Sequence, residues 1–160
     1  MEMVVHESAE IIKNLIQGWN YFLNNEVVVG ITMESNSARG DAPSNAELLY
    51  IHDQGSPDRH IPPRPVLKPA IAQPEVKEKI QTMMREAAVA ALVNGNMEKC
   101  EQNFHKAGMI GRDACKKYIQ DGGKLAPNAP MTVAMKGSSK PLIDTGSMLN
   151  SITYAVRKKG

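Results

Sequence analysis

Aromatic side chains are scarce: one Trp, four Tyr and two Phe in 160 residues. Stacking of single-stranded nucleic acid is therefore poorly provided for. Filling the interior falls to ten methionines and many small residues. Methionine packs adaptably but specifies a core poorly, so this is a modest core that partners can complete. No apolar run of about 18 residues occurs, which excludes a transmembrane helix. The first residues, Met1 to Glu7, have neither a basic nor an apolar stretch, so no secretory signal is expected. The two cysteines, Cys100 and Cys115, fall in one predicted helix, fifteen residues apart. At a rise of about 1.5 Å per residue they are roughly 22 Å apart, beyond the ~7 Å a disulfide tolerates. Both read as reduced, packed thiols of a cytosolic protein.

Catalytic signatures are missing too. Neither a P-loop nor a GxGxxG pattern is present. The two Cys and four His are scattered, so no metal ligand and no cofactor is assigned. His52-Asp53 would need further ligands from other helices and reads as a polar helix end. Cys100 and His105 are five positions apart on one helix, on faces roughly 140° apart, which disfavours a nucleophile pair. Ser147 lacks a glycine-flanked elbow. No catalytic residue is named, and the chain is expected not to be an enzyme. Arg39-Gly40-Asp41 is read as a chance tripeptide within a polar loop, 34–43.

What is present suits one globular domain over residues 1–160: 42% hydrophobic and 22% charged side chains exclude a disordered or collagen-like chain. The net charge of +2 hides an asymmetry. Residues 1–60 carry three basic and nine acidic side chains, net −6; residues 61–160 carry sixteen and eight, net +8. Either the halves attract each other within the fold, or neighbouring subunits do so across an interface.

Periodicity predicts an amphipathic helix over 7–23, with Ile11, Ile12, Leu15, Ile16, Trp19 and Phe22 at three- and four-residue spacing and Ser8 as its cap. The branched run 26–33 predicts a strand. Ser44-Asn45-Ala46-Glu47 is a capping box opening a short helix that Gly55 ends; the continuous apolar run 48–51 makes a strand the competitor. Residues 56–69, rich in proline, predict a stiff extended arm. Helices follow over 74–93, with Pro74 at the start, and over 97–121. Met97, Cys100, Phe104, Ala107, Gly111, Ala114 and Tyr118 form the seam of the second. The two should make an antiparallel hairpin, with Gly108 and Gly111 admitting a close neighbour. A helical turn over 130–136, a capped turn over 144–149, a strand over 151–157 and a frayed basic tail, 157–160, complete the chain. The fold class is α+β: a small antiparallel sheet against an N-terminal helix and a long antiparallel helix pair, with a proline-rich arm. Basic clusters at Lys116-Lys117 and Arg157-Lys158-Lys159 leave a sequence-independent DNA-binding module as an alternative function.

Two blocks carry a resemblance. The first is His52-Asp53-Gln54-Gly55 followed by Ile61-Pro62-Pro63-Arg64-Pro65-Val66-Leu67. The second runs from Pro130 to Gly137 and from Pro141-Leu142-Ile143-Asp144-Thr145-Gly146 to Ile152. Together they resemble the virion-morphogenesis, tail-completion (head–tail joining) proteins of tailed phages, in the right order over about residues 44–157. Val66 stands where that family usually has an aromatic, and Gln54 where Phe is common. The resemblance implies a structural virion protein at the neck of a phage or prophage, assembled in the host cytoplasm with no membrane partner. It implies a homo-oligomeric ring, for example a hexamer, against the portal or head connector and the tail tube or terminator, with DNA passing through unbound. A tail terminator or head–tail adaptor subunit is the alternative. The interface residues it implies are Ile61, Pro62, Pro63, Arg64, Pro65, Leu67, Asp144, Thr145 and Gly146. Arg64→Glu is accordingly expected to impair assembly and leave the monomer folded. The alternative for the arm is an ordinary rigid loop over its own subunit.

Overall fold

The computed structural model describes residues 2–37, 42–122, 125–128, 134 and 146–160. In chain order the elements are α1 (Glu2–Asn24), β1 (Asn25–Gly30), α2 (Asn45–Gln54), α3 (Leu67–Ile71), α4 (Pro74–Ala88), α5 (Met97–Asp121), α6 (Ser147–Ser151) and β2 (Thr153–Lys158). The class is α+β, as the periodicity predicts.

The seam predicted on α5 organises the molecule. Of its predicted members Cys100, Phe104, Ala107 and Gly111 are buried; past Gly111 the buried positions move one residue on, to Cys115 and Ile119, and Met97, Ala114 and Tyr118 are only half-buried. Asn96 caps its start by accepting from the Lys99 N–H, and Gly122 ends it in a left-handed conformation. Antiparallel to it runs α4, opened by Pro74. Helix α4 continues as a π-helical turn over Val89–Val93, so the predicted 74–93 helix has its full length but a widened last turn. Ala87, Ala90 and Ala91 are buried there, small enough for close helix contact.

Strands β1 and β2 pair antiparallel, from Asn25↔Lys158 to Gly30↔Thr153, and lie across α5. Gly108 and Gly111 make room for them: an added Cβ at Gly108 would strike the Tyr154 ring, and one at Gly111 would sit 2.9 Å from Val29 Cγ2. A methyl group at either place has nowhere to go in a close-packed contact. Buried side chains form two clusters. One joins Phe104, Cys100 and the three alanines to Tyr21 and Phe22 of α1. The other gathers Leu49, Val66, Ala70, Cys115, Ile119, Met148 and Ile152 around the far half of α5. The scarce aromatics concentrate in the first: the Tyr21 and Phe22 rings meet Phe104 edge-on at 5.2 and 5.1 Å.

Several boundaries differ from expectation. Helix α1 starts at Glu2, so Ser8 lies inside it and is no cap; nothing in residues 2–7 breaks a helix. Strand β1 stops at Gly30, short of 33, because Thr32 and Ser35 close a hydrogen-bonded turn. The proline-rich arm is not extended throughout: a 3-10 turn covers Pro57–Arg59 and α3 begins at Leu67. Pro69 stands in the first turn of α3, where a missing N–H costs nothing. The basic tail is not frayed: β2 reaches Lys158, and the Lys159 N–H donates to the Asn24 carbonyl at 2.8 Å. Arg39-Gly40-Asp41, most of the 130–136 turn and the start of the 144–149 turn lie outside the described residues. Among the described residues no helix is long and apolar enough to cross a membrane.

Candidate functional site

The proline block turns back on its own chain. Gly55 leaves α2 at φ 75°, a region glycine enters freely. A Cβ there would also lie 2.9 Å from the Ile61 carbonyl oxygen. Ser56 and Ile61 exchange two backbone hydrogen bonds of 2.9 Å across the 3-10 turn. The Arg64 N–H then donates to the His52 carbonyl at 2.6 Å, which pins the arm to the end of α2. Past that point the extended backbone alternates, with Arg64 and Val66 buried and Pro63 and Pro65 exposed.

Arg64, 6% exposed, is the charged residue of the buried set. Its Nε donates to the Ala126 carbonyl at 2.7 Å and its Nη2 to the Pro127 carbonyl at 2.8 Å. Burial lowers its pKa from the ordinary guanidinium value. The side chain thus clamps the segment after α5 to the arm. Ile61 is half-buried in its bridge, and Leu67 opens α3 and packs on the core. Pro62, Pro63 and Pro65 are the members of this block that face solvent.

The second block is also turned inward where it is described. Gly146 caps α6 at φ 77°. Asn45, wholly buried at the start of α2, donates to the hydroxyls of Ser147 (3.0 Å) and Ser151 (2.7 Å). The Ser151 hydroxyl donates in turn to the Ser147 carbonyl. The two blocks, far apart in sequence, therefore hold opposite ends of α2. Asp144 and Thr145 lie outside the described residues.

Reactive groups are dispersed. Among the described residues no three His, Cys, Asp or Glu side chains cluster to hold a metal. Cys100 and Cys115 are both buried free thiols, and burial pushes each up to about 11. Such thiols are poor nucleophiles at neutral pH. His105 is exposed and edge-on to Tyr154 at 5.8 Å, turned away from buried Cys100. An open groove of about 940 Å³ beside α2 contains the carboxyls of Glu47 and Asp58. Glu47 is committed to the capping box: its carboxylate accepts from the Ser44 N–H, which holds it below the usual carboxylate range. Of the charge asymmetry, the fold uses one ion pair between the halves among the described residues, Glu26 with Arg157 at 2.9 Å across the strands.

The site that sequence reasoning missed is on α1. Asn14, Gly18, Tyr21 and Phe22 face the body, with Gly18 packed against Ala91 and Leu92. Of the stripe predicted on this helix Phe22 turns inward, and Ile11, Ile12, Leu15, Ile16 and Trp19 lie beside that face, in water. Ile11, Ile12, Leu15, Ile16, Trp19 and Leu23 are all 44–61% exposed. At about 100° per residue these six cover an arc of roughly 140°. Residues 7–13 are exposed all round, so this stretch of the helix stands clear of the domain. The available signal was the width of the stripe: with Tyr21 and Phe22 already docking the helix, so many further apolar positions have no internal partner.

No family model matches the chain, and no curated protein or solved structure matches it.

Proposed function

We propose that the chain is a structural subunit of a tailed-phage or prophage virion that forms a homo-oligomeric ring at the neck, completing the tail and joining it to the head. The observation that supports an assembling subunit is the apolar stripe of α1, left in water by its own domain. Half-exposure of five aliphatic side chains and one indole leaves on the order of 600 Å² of apolar surface, the upper range for a monomer. A patch at that limit is characteristically a functional contact surface. The opposite net charges of residues 1–60 and 61–160 are compatible with the unlike contact surfaces a head-to-tail ring requires.

The exposed prolines of the arm remain available to a neighbour, since a stiff segment loses little entropy on docking. Arg64 is a support for the arm in this scheme and not a contact. The test is reconstitution with the portal and tail proteins encoded beside it, followed by mass measurement and imaging. A ring, with six copies the number to check first, is expected. A strict monomer in the presence of those partners overturns the reading.

A further inference from the structure

A helix face this exposed needs a cover that fits both its length and its charge. Helix α1 places Glu7, Glu10 and Lys13 in its first half and carries no charged side chain from Asn14 to Asn25. Basic charge gathers at its other end, where the Lys159 ammonium donates to the Phe22 carbonyl at 3.2 Å and Lys158 is adjacent. The stripe is also near-symmetric about position 17: Ile11 reflects onto Leu23, and Leu15 onto Trp19.

We propose that the stripe is covered by the same stripe of a second copy, with α1 antiparallel to α1 across a two-fold axis near position 17. In that alignment Ile11 meets Leu23 of the partner subunit and Leu15 meets Trp19 of the partner subunit, so four of the six stripe residues meet their own kind; Ile12 and Ile16, whose mirror positions Phe22 and Gly18 face the body, fill the seam between those pairs. A parallel pair would set the two acidic ends side by side. The antiparallel pair parts them and brings each to the partner's basic end. Helix axes in contact lie about 8–10 Å apart, within the reach of charge at physiological salt. The stripe and its flanks approach the ~800 Å² per partner of a specific interface. A lipid surface is the poorer cover, because interfacial helices carry Lys and Arg on the polar face and this one is acidic at its free end. The inference rests on reading the stripe as an assembly surface. It is separate from the head-to-tail contact that closes a ring, since a two-fold contact joins subunits only in pairs.

The experiment uses the full chain. Sedimentation across a concentration series should show a dimer. Ile16→Glu should raise the dissociation constant about a hundredfold, with the helical signal unchanged because Ile16 is exposed in the monomer, and the unfolding midpoint should fall only by the lost association, so that it equals the wild type's at concentrations where both are monomeric. Asn20→Glu, on the other flank, should leave association as it is. Orientation is read by oxidation of Ile11→Cys and Leu23→Cys variants; the native thiols are buried and do not compete. A mixture should form a mixed disulfide dimer, and neither variant alone should cross-link. Self-cross-linking of each variant alone, or association indifferent to Ile16→Glu, overturns the antiparallel contact. A monomer that still builds rings with head and tail proteins overturns the contact and leaves the neck reading standing; a monomer that joins neither overturns both.

Discussion

Arg64→Glu should destabilise the fold itself rather than act on assembly alone. In the wild type two N–H groups of a buried guanidinium meet two carbonyl oxygens at 2.7 and 2.8 Å. Hydrogen bonds from a charged donor contribute roughly 1.5–3 kcal/mol each. Removing the buried charge returns part of that, because the guanidinium is desolvated where it sits. Arg64→Met, which keeps the length and loses both donors, should therefore cost about 2 kcal/mol. Arg64→Lys keeps a charge but cannot serve both carbonyls in one plane, and should cost about 1 kcal/mol. Arg64→Glu aims a buried carboxylate at two acceptors and should cost about 4 kcal/mol or more. For a chain of this size each kcal/mol shifts the melting midpoint by roughly 2–4 °C, so the Glu variant should melt about 10 °C low. Urea and thermal unfolding followed by circular dichroism give the order Lys, Met, Glu. A Glu variant that melts like the wild type yet fails to assemble would refute the clamp and restore the surface role that the motif implies.

Three further outcomes are expected. Gly108→Ala should destabilise by about 1–3 kcal/mol, since its methyl group would overlap the Tyr154 ring; a neutral result by urea denaturation would show that the sheet can lift off α5. Asn103 is wholly buried with both amide atoms unpaired, so Asn103→Leu should raise the melting temperature, by about 1–2 kcal/mol in stability, and a drop would reveal an unseen partner for the amide. Burial raises both thiols from 9.0 to about 11, with Glu101 adding to the shift at Cys100. The protonated thiol is the form the fold favours, so this contribution is complete below about pH 9 and is lost as the pH rises to about 11. Wild type compared with a Cys100→Ala, Cys115→Ala double variant should show that loss in the urea midpoint, and a flat difference across the window rejects it.

Local signals and their structural outcomes correspond closely where one residue type has one physical job. Ser44 and Glu47 form the predicted capping box and start α2. Asn94-Gly95-Asn96 and Gly122 bracket α5 within a residue of expectation. Gly108 and Gly111 mark the close approach of a neighbour, which proves to be the sheet. What could not be read is set by distant chain. The arm's proline density hides α3, because Pro69 is tolerated in a first helical turn. Arg64 reads as a surface group until the carbonyls of Ala126 and Pro127, some sixty residues on, are placed beside it. On α1, amphipathicity specifies an apolar stripe but not which molecule covers it, and the domain's own contact falls on the adjacent face instead. The blocks that resemble tail-completion proteins do structural work, in their described residues, at the two ends of α2.

The pairing of β1 with β2 also governs how the chain reaches this fold. Gly30 and Thr153, the closest partners in sequence, are 123 residues apart. Closing so long a loop is entropically costly and comes late. The α4–α5 hairpin, by contrast, is local and can form while the chain is still being made. Until residue 158 has emerged from the ribosome, the glycine face of α5 has no sheet over it, and the nascent chain presents that bare face together with the stripe of α1. Sticky surface is therefore greatest just before the sheet closes. Expression at low temperature or beside its assembly partners is the condition in which this chain should stay soluble.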